Sequence, residues 1–123
     1  MADLGIKDIA LTAADAADDK KAEDIEVLNV QGLTVIADYF VLCSANSDKQ
    51  VRAVARAIED ELAEKDIIPS RIAGMDDAKW VLMDYADVIV HVFQKREREY
   101  YDLERLWSDA KKILRDNSEK IEE

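Results

Sequence analysis

Cysteine and histidine each occur once, as Cys43 and His91. A single cysteine closes no disulfide within the chain, and it points to a reducing compartment, the cytoplasm. One histidine beside one cysteine builds neither a Ser-His-Asp triad nor a histidine-rich metal centre. Glycine is almost as scarce: only Gly5, Gly32 and Gly74 are present, so neither G-x-x-x-x-G-K-[ST] nor G-x-G-x-x-G occurs. With no such loop and no ligand cluster, no cofactor and no catalytic residue are expected. Three glycines and one proline, Pro69, also argue against disorder or a loop-rich scaffold. The longest apolar run, Tyr39 to Cys43, is far too short to span a bilayer. The opening stretch MADLGIKDIALTAADAADDKK is acidic and lacks an apolar segment, so it reads as neither a secretory signal nor an Arg-rich transit peptide.

Positive charge is the other deficit. There are 17 bases against 28 acids, a formal net charge of −11. A free-standing DNA or RNA binder needs a basic footprint, whereas this chain as a whole is repelled by phosphate. Two uses of the acid remain, solubility and attraction to a basic partner. What the chain has in quantity is apolar residue, 49% of 123. That suits one domain, spanning residues 1–117, with a core able to bury about two thirds of its unfolded surface. Residues 118–123 are charged and are expected to fray.

Spacing predicts the elements. Ile6, Ile9, Ala10, Ala13, Ala14 and Ala17 make one face of a helix over residues 3–18. Ile25 to Val30 reads as a strand stopped by Gln31-Gly32, and Tyr39 to Cys43 as a central strand buried on both faces. Ser47-Asp48-Lys49-Gln50 has the form of a capping box opening a helix. Its buried stripe is Val51, Val54, Ala55, Ile58 and Leu62. A short edge strand is expected at Ile72 to Gly74. Trp80 to Asp84 and Val88 to Phe93 read as strands joined by a tight Tyr85-Ala86-Asp87 turn. A final helix is expected from near Arg96 to about Asn117, with Tyr100, Leu103, Trp107, Ala110 and Leu114 on one seam and Tyr101 and Leu106 beside it. More apolar surface than one packing face needs implies a second contact or a deeply seated helix. The sum is a single α/β domain on a mixed sheet.

Individual residues read two ways. Pairs such as Glu59 and Glu61, or Glu97 and Glu99, point to different sides of a helix and make poor metal pairs. Asp84 and Asp87 flank the hairpin turn, where aspartate is at home for conformational reasons. Alternation puts His91 on one face with Ile89 and Phe93, either as a hydrogen-bonded structural group or as an interface contact. Trp80 has the same two readings, core or binding anchor.

Three segments resemble the Iojap or RsfS family of ribosomal silencing factors. They are Ala22 to Val30 with Ile36 to Val41, the Ser47 helix start with Gln50 and Val51, and the run Trp80 to Phe93 followed by Arg98 to Trp107. The last, W-x-L-x-D-x-x-D-V-x-V-H-V-F and then R-x-x-Y-x-L-E-x-L-W, is long and ordered. The resemblance covers about Leu4 to Ala110. It implies a nucleotidyltransferase-like fold with a five-stranded mixed sheet flanked by helices. It also implies binding to ribosomal protein fourteen of the large ribosomal subunit at the subunit-joining face, repression of translation in starvation, and a homodimer when free. The candidate partner-binding residues are Trp80, Asp84, His91, Arg98, Tyr101 and Glu104. A role in large-subunit assembly would use the same surface. A nucleotidyl-transferring enzyme is the alternative from another class, but the Gly-Ser turn typical of that chemistry is absent. The sequence departs from the family pattern at Asn29, at Ala73 and at Ala86, where glycine is common. The last departure leads to the expectation of a turn that needs no positive φ there.

Overall fold

A computed structural model describes residues 5–113. The tail expected at 118–123 and Leu114 lie outside the described residues. The chain opens with helix α1 (Ile6–Asp19), whose buried face is almost all alanine: Ala10, Ala13, Ala14, Ala16 and Ala17. Such short side chains let the helix backbone lie close to the sheet. Strand β1 (Glu23–Asn29) follows, then β2 (Tyr39–Ala45), every residue of which is buried. Helix α2 (Asp48–Ala63) is capped as expected: the Ser47 hydroxyl accepts from Gln50 N at 3.1 Å. The Gln50 side chain accepts from Asn46 N and donates to the carbonyls of Lys20 and Lys21, so one residue caps α2 and ties down the end of α1.

Strand β3 (Arg71–Ala73) is the short edge strand. Gly74 then turns the chain at φ 93, and a Cβ there would meet the Trp80 carbonyl oxygen at 2.2 Å. Arg52 on α2 holds the following loop by donating to the carbonyls of Met75 and Asp76. Strands β4 (Trp80–Asp84) and β5 (Val88–Gln94) form the hairpin, and β5 runs parallel to β2. The hairpin turn corrects one expectation: Ala86 sits at φ 71. Its N–H donates to the Asp84 carboxylate at 2.8 Å, and this bond holds the turn in a conformation that favours glycine.

The long final helix is also corrected. It breaks into α3 (Lys95–Tyr101) and the single turn α4 (Leu103–Leu106), with Asp102 between them at φ 47. Lys111–Ile113 then forms a sixth strand, β6, antiparallel to β1. The sheet order is β3-β4-β5-β2-β1-β6. Two forces beat helix propensity here. Leu103, Trp107 and Ala110 pack on the apolar sheet, and β6 satisfies the otherwise open edge of β1.

The sheet separates two cores. On one face Val27, Val41, Cys43, Val81, Met83, Val90 and Val92 meet the buried stripes of α1 and α2. On the other face Leu28, Phe40, Leu42, Ile89 and Phe93 are joined by partly buried Trp80, Leu82, Leu103 and Trp107.

Candidate docking face

The second face is an aromatic cluster built by strand alternation. Trp80, at the start of β4, stands directly opposite Phe93 on β5, and their rings stack at 4.9 Å. Tyr101, at the end of α3, lies 4.7 Å from Trp80. His91 meets Phe40 edge-on at 5.2 Å, and Phe40 meets Trp107 in the same way at 5.3 Å. Trp80 remains half-buried, Tyr101 is 45% exposed, and beside them Tyr100 is 80% and Leu106 72% exposed. Tyr100 therefore does not share the buried seam expected for it. The break at Asp102 takes it out of phase with Leu103 and Trp107.

His91 is buried and acts from beneath the surface. The Trp80 indole N–H donates to its Nδ1 at 3.1 Å, so the imidazole carries its proton on Nε2. That N–H is buried and has no partner among the described residues. Burial pushes the His91 pKa down to about 4, which keeps the ring neutral at physiological pH. Burial likewise pushes the Cys43 thiol up to about 12. Both groups are thus held in uncharged forms, one bonded to a tryptophan and the other sealed between sheet and helices.

Arg98 and Glu104 form the second group. The guanidinium of Arg98 is buried, donates to Ser44 Oγ on β2 at 2.8 Å, and pairs with Glu104 at 2.6 Å. This clasp spans the αL break at Asp102 and fixes α4 against α3. Partial burial acts to raise the Glu104 pKa, but the hydrogen bond and charge of Arg98, its own backbone N–H and the charge of Lys112 outweigh it. Its carboxyl therefore sits below the usual range. Around Arg98 the acids Asp24, Glu26, Glu99, Asp102 and Glu104 line a shallow depression, giving this flank of the aromatic face negative charge.

Of the six sequence-predicted residues, the structure gathers Trp80, His91 and Tyr101 into one cluster and Arg98 with Glu104 into another. Asp84 stands apart at the far end of β4, where its carboxylate holds the turn and its carbonyl accepts from Ser70 N. Sequence reasoning missed Phe40 and Ser44 as supports of the face. The strict alternation of β2 carried that signal, since every second residue from Phe40 points the same way.

The family described as "Ribosomal silencing factor during starvation" matches residues 4–123. The ribosomal silencing factor RsfS of Bacillus subtilis is 54% identical over 104 residues, covering 85% of this chain and 88% of that protein. The chloroplastic protein Iojap of Zea mays is 35% identical over 106 residues, 85% of this chain and 45% of that longer protein. A crystal structure of a Chromobacterium violaceum protein superposes with a TM-score of 0.83 at 33% identity, covering 85% of this chain and 88% of that one. The chain belongs to the RsfS family of ribosomal silencing factors.

Proposed function

We propose that the chain docks on the large ribosomal subunit through ribosomal protein fourteen and keeps the small subunit away by occupying its place. The observation that carries this reading is the half-covered aromatic face. One side of the sheet is sealed by two helices, whereas the other presents Trp80, Tyr100, Tyr101 and Leu106 to solvent beside an acidic flank. Aromatic anchors with a charged rim are the usual anatomy of a protein-binding patch. Ribosomal proteins are generally basic, so a net charge of −11 steers the chain toward such a partner and away from bare RNA. In this reading Trp80 and Tyr101 touch the partner. His91 orients Trp80, the Arg98–Glu104 clasp shapes the flank, and Asp84 contributes charge at the hairpin end.

Occlusion follows from size. A domain of this length is very roughly 35 Å across, and a standard interface takes about 800 Å² from each partner. Most of the body therefore stands proud of the surface it binds. Reciprocity requires that whatever excludes the small subunit is excluded by a preformed ribosome. Sucrose-gradient sedimentation with the protein added before or after subunit joining tests this. The protein is expected to travel with free large subunits, to block joining when added first, and to leave joined ribosomes unoccupied. Equal binding to joined ribosomes and free large subunits rules out occlusion.

A further inference from the structure

The loop between β1 and β2 has no part in the account so far. Residues Gln31 to Ala37 carry no charge, in a chain of which 37% is charged. Val35 is 103% exposed, Ile36 62% and Leu33 45%, three large apolar side chains held in water side by side. The loop is also closed and braced. Leu33 N donates to Val30 O, Val30 N to Asp38 O, Gln31 N to the Asn29 side chain, and Ile36 N to Thr34 Oγ1. Its two roots, Val30 and Ala37, are buried in the same core as Phe40 and Trp80, so the loop rises from the aromatic side of the sheet, at the Tyr39 end of β2 and away from the Ser44 end beside Trp80. A preformed apolar tip loses little freedom when it is seated in a pocket, which makes it an efficient anchor.

We propose that the 31–37 loop is a second anchor, seating Val35 and Ile36 in an apolar pocket with a basic rim on the ribosomal protein partner. This rests on the large-subunit reading above. Charge selects the partner. The foot of the loop is acidic: Asp38 N and Tyr39 N both donate to the carbonyl of Asp87, which brings Asp38 and Asp87 together beneath the apolar tip. Lys111 is a cation at this end of the sheet, on β6 beside the loop and opposite Asn29, whereas Arg71 lies on the far edge strand β3, opposite Asp84. An apolar tip above two aspartates on neighbouring backbone, on a chain of charge −11, fits a basic protein surface. The chain's own C-terminal strand travels the wrong way to cover the loop, from Lys111 opposite Asn29 to Ile113 opposite Val27.

The test is a binding titration of labelled full-length protein against purified large subunits. Its variants are Val35→Asp with Ile36→Asp, Val35→Leu, and Trp80→Ala. The double aspartate variant is expected to bind about 30-fold more weakly or worse, the scale of a lost hot spot. Its urea midpoint should be unchanged, because both side chains are already in water. Val35→Leu should bind like the wild type. Wild-type affinity in the double variant, with Trp80→Ala weakened, overturns the loop inference and leaves the large-subunit reading standing. Failure of the wild-type protein itself to bind large subunits overturns both. If sedimentation equilibrium shows the double variant losing self-association while its large-subunit affinity holds, the loop serves a second copy of the chain and the proposal fails.

Discussion

The two faces of the sheet are made from the same strands and differ in what covers them. The helix-covered face is built mainly of alanine and valine, packed to zero exposure at Ala13, Val54, Ile58 and Leu62. The aromatic face is covered by the short helix α3, the single turn of α4 and the Trp107 and Ala110 side chains that follow it, and its large side chains stay partly wet. The first arrangement spends its apolar surface on folding. The second leaves part of it over, in the residue types that dominate binding energy at interfaces. Stability and docking are therefore expected to separate by face, and substitutions can break or sharpen that division.

The largest effect belongs to the sealed face. Leu62→Ala deletes a fully buried side chain between α2 and the sheet, and it should cost about 2–5 kcal/mol of stability in urea unfolding. Its remaining folded fraction should still bind large subunits normally. A binding defect in that folded fraction would mean that the two faces are coupled.

His91 gives the next effect, which is a dependence on pH. The unfolded side chain takes up a proton near its ordinary pKa of 6.5, while the folded one resists until about 4. Stability from this group is therefore complete above pH 6.5 and declines as the pH falls toward 4. The total loss is about 3 kcal/mol, at 1.36 kcal/mol per pKa unit. Glu104, whose pKa is lowered, adds its own loss only as the pH falls below its ordinary 4.5. The stretch from pH 6.5 to 5 isolates the histidine. His91→Gln, which keeps an acceptor for the Trp80 indole, should flatten urea midpoints there. An unchanged slope in His91→Gln would assign the dependence to other groups.

Trp80→Ala completes the comparison from the docking side. It should weaken large-subunit binding by about 2 kcal/mol or more, measured by titration. Circular dichroism should remain native, because the indole is only half-buried. Loss of the fold would return Trp80 to the core.

Much of this division was legible in the sequence, and where it was not the reason is physical. The buried stripe of α2, its serine cap, the central strand and the hairpin follow from local periodicity and capping chemistry. The end of the last helix does not. Nothing local marks Asp102 as a left-handed residue, and the break arises because Leu103, Trp107 and Lys111–Ile113 gain more from the sheet than from helical continuation. Ala86 is a similar case, since its positive φ is held by the Asp84 carboxylate. For the site, alternation placed His91 on the right face, but its surroundings include Phe40 and Trp80, which lie on other strands and are distant in sequence. The exposed apolar tip at Leu33 to Ile36 was not legible, because exposure cannot be read from residue type alone.

Side-chain footprinting by hydroxyl radicals tests the central claim most directly, with the protein free and bound to purified large subunits. Docking through the aromatic face predicts loss of oxidation at Trp80 and Tyr101 on binding, with no change at Ile9 and Leu11 on α1. Protection of Ile9 and Leu11, with Trp80 and Tyr101 as reactive as in the free protein, would contradict it.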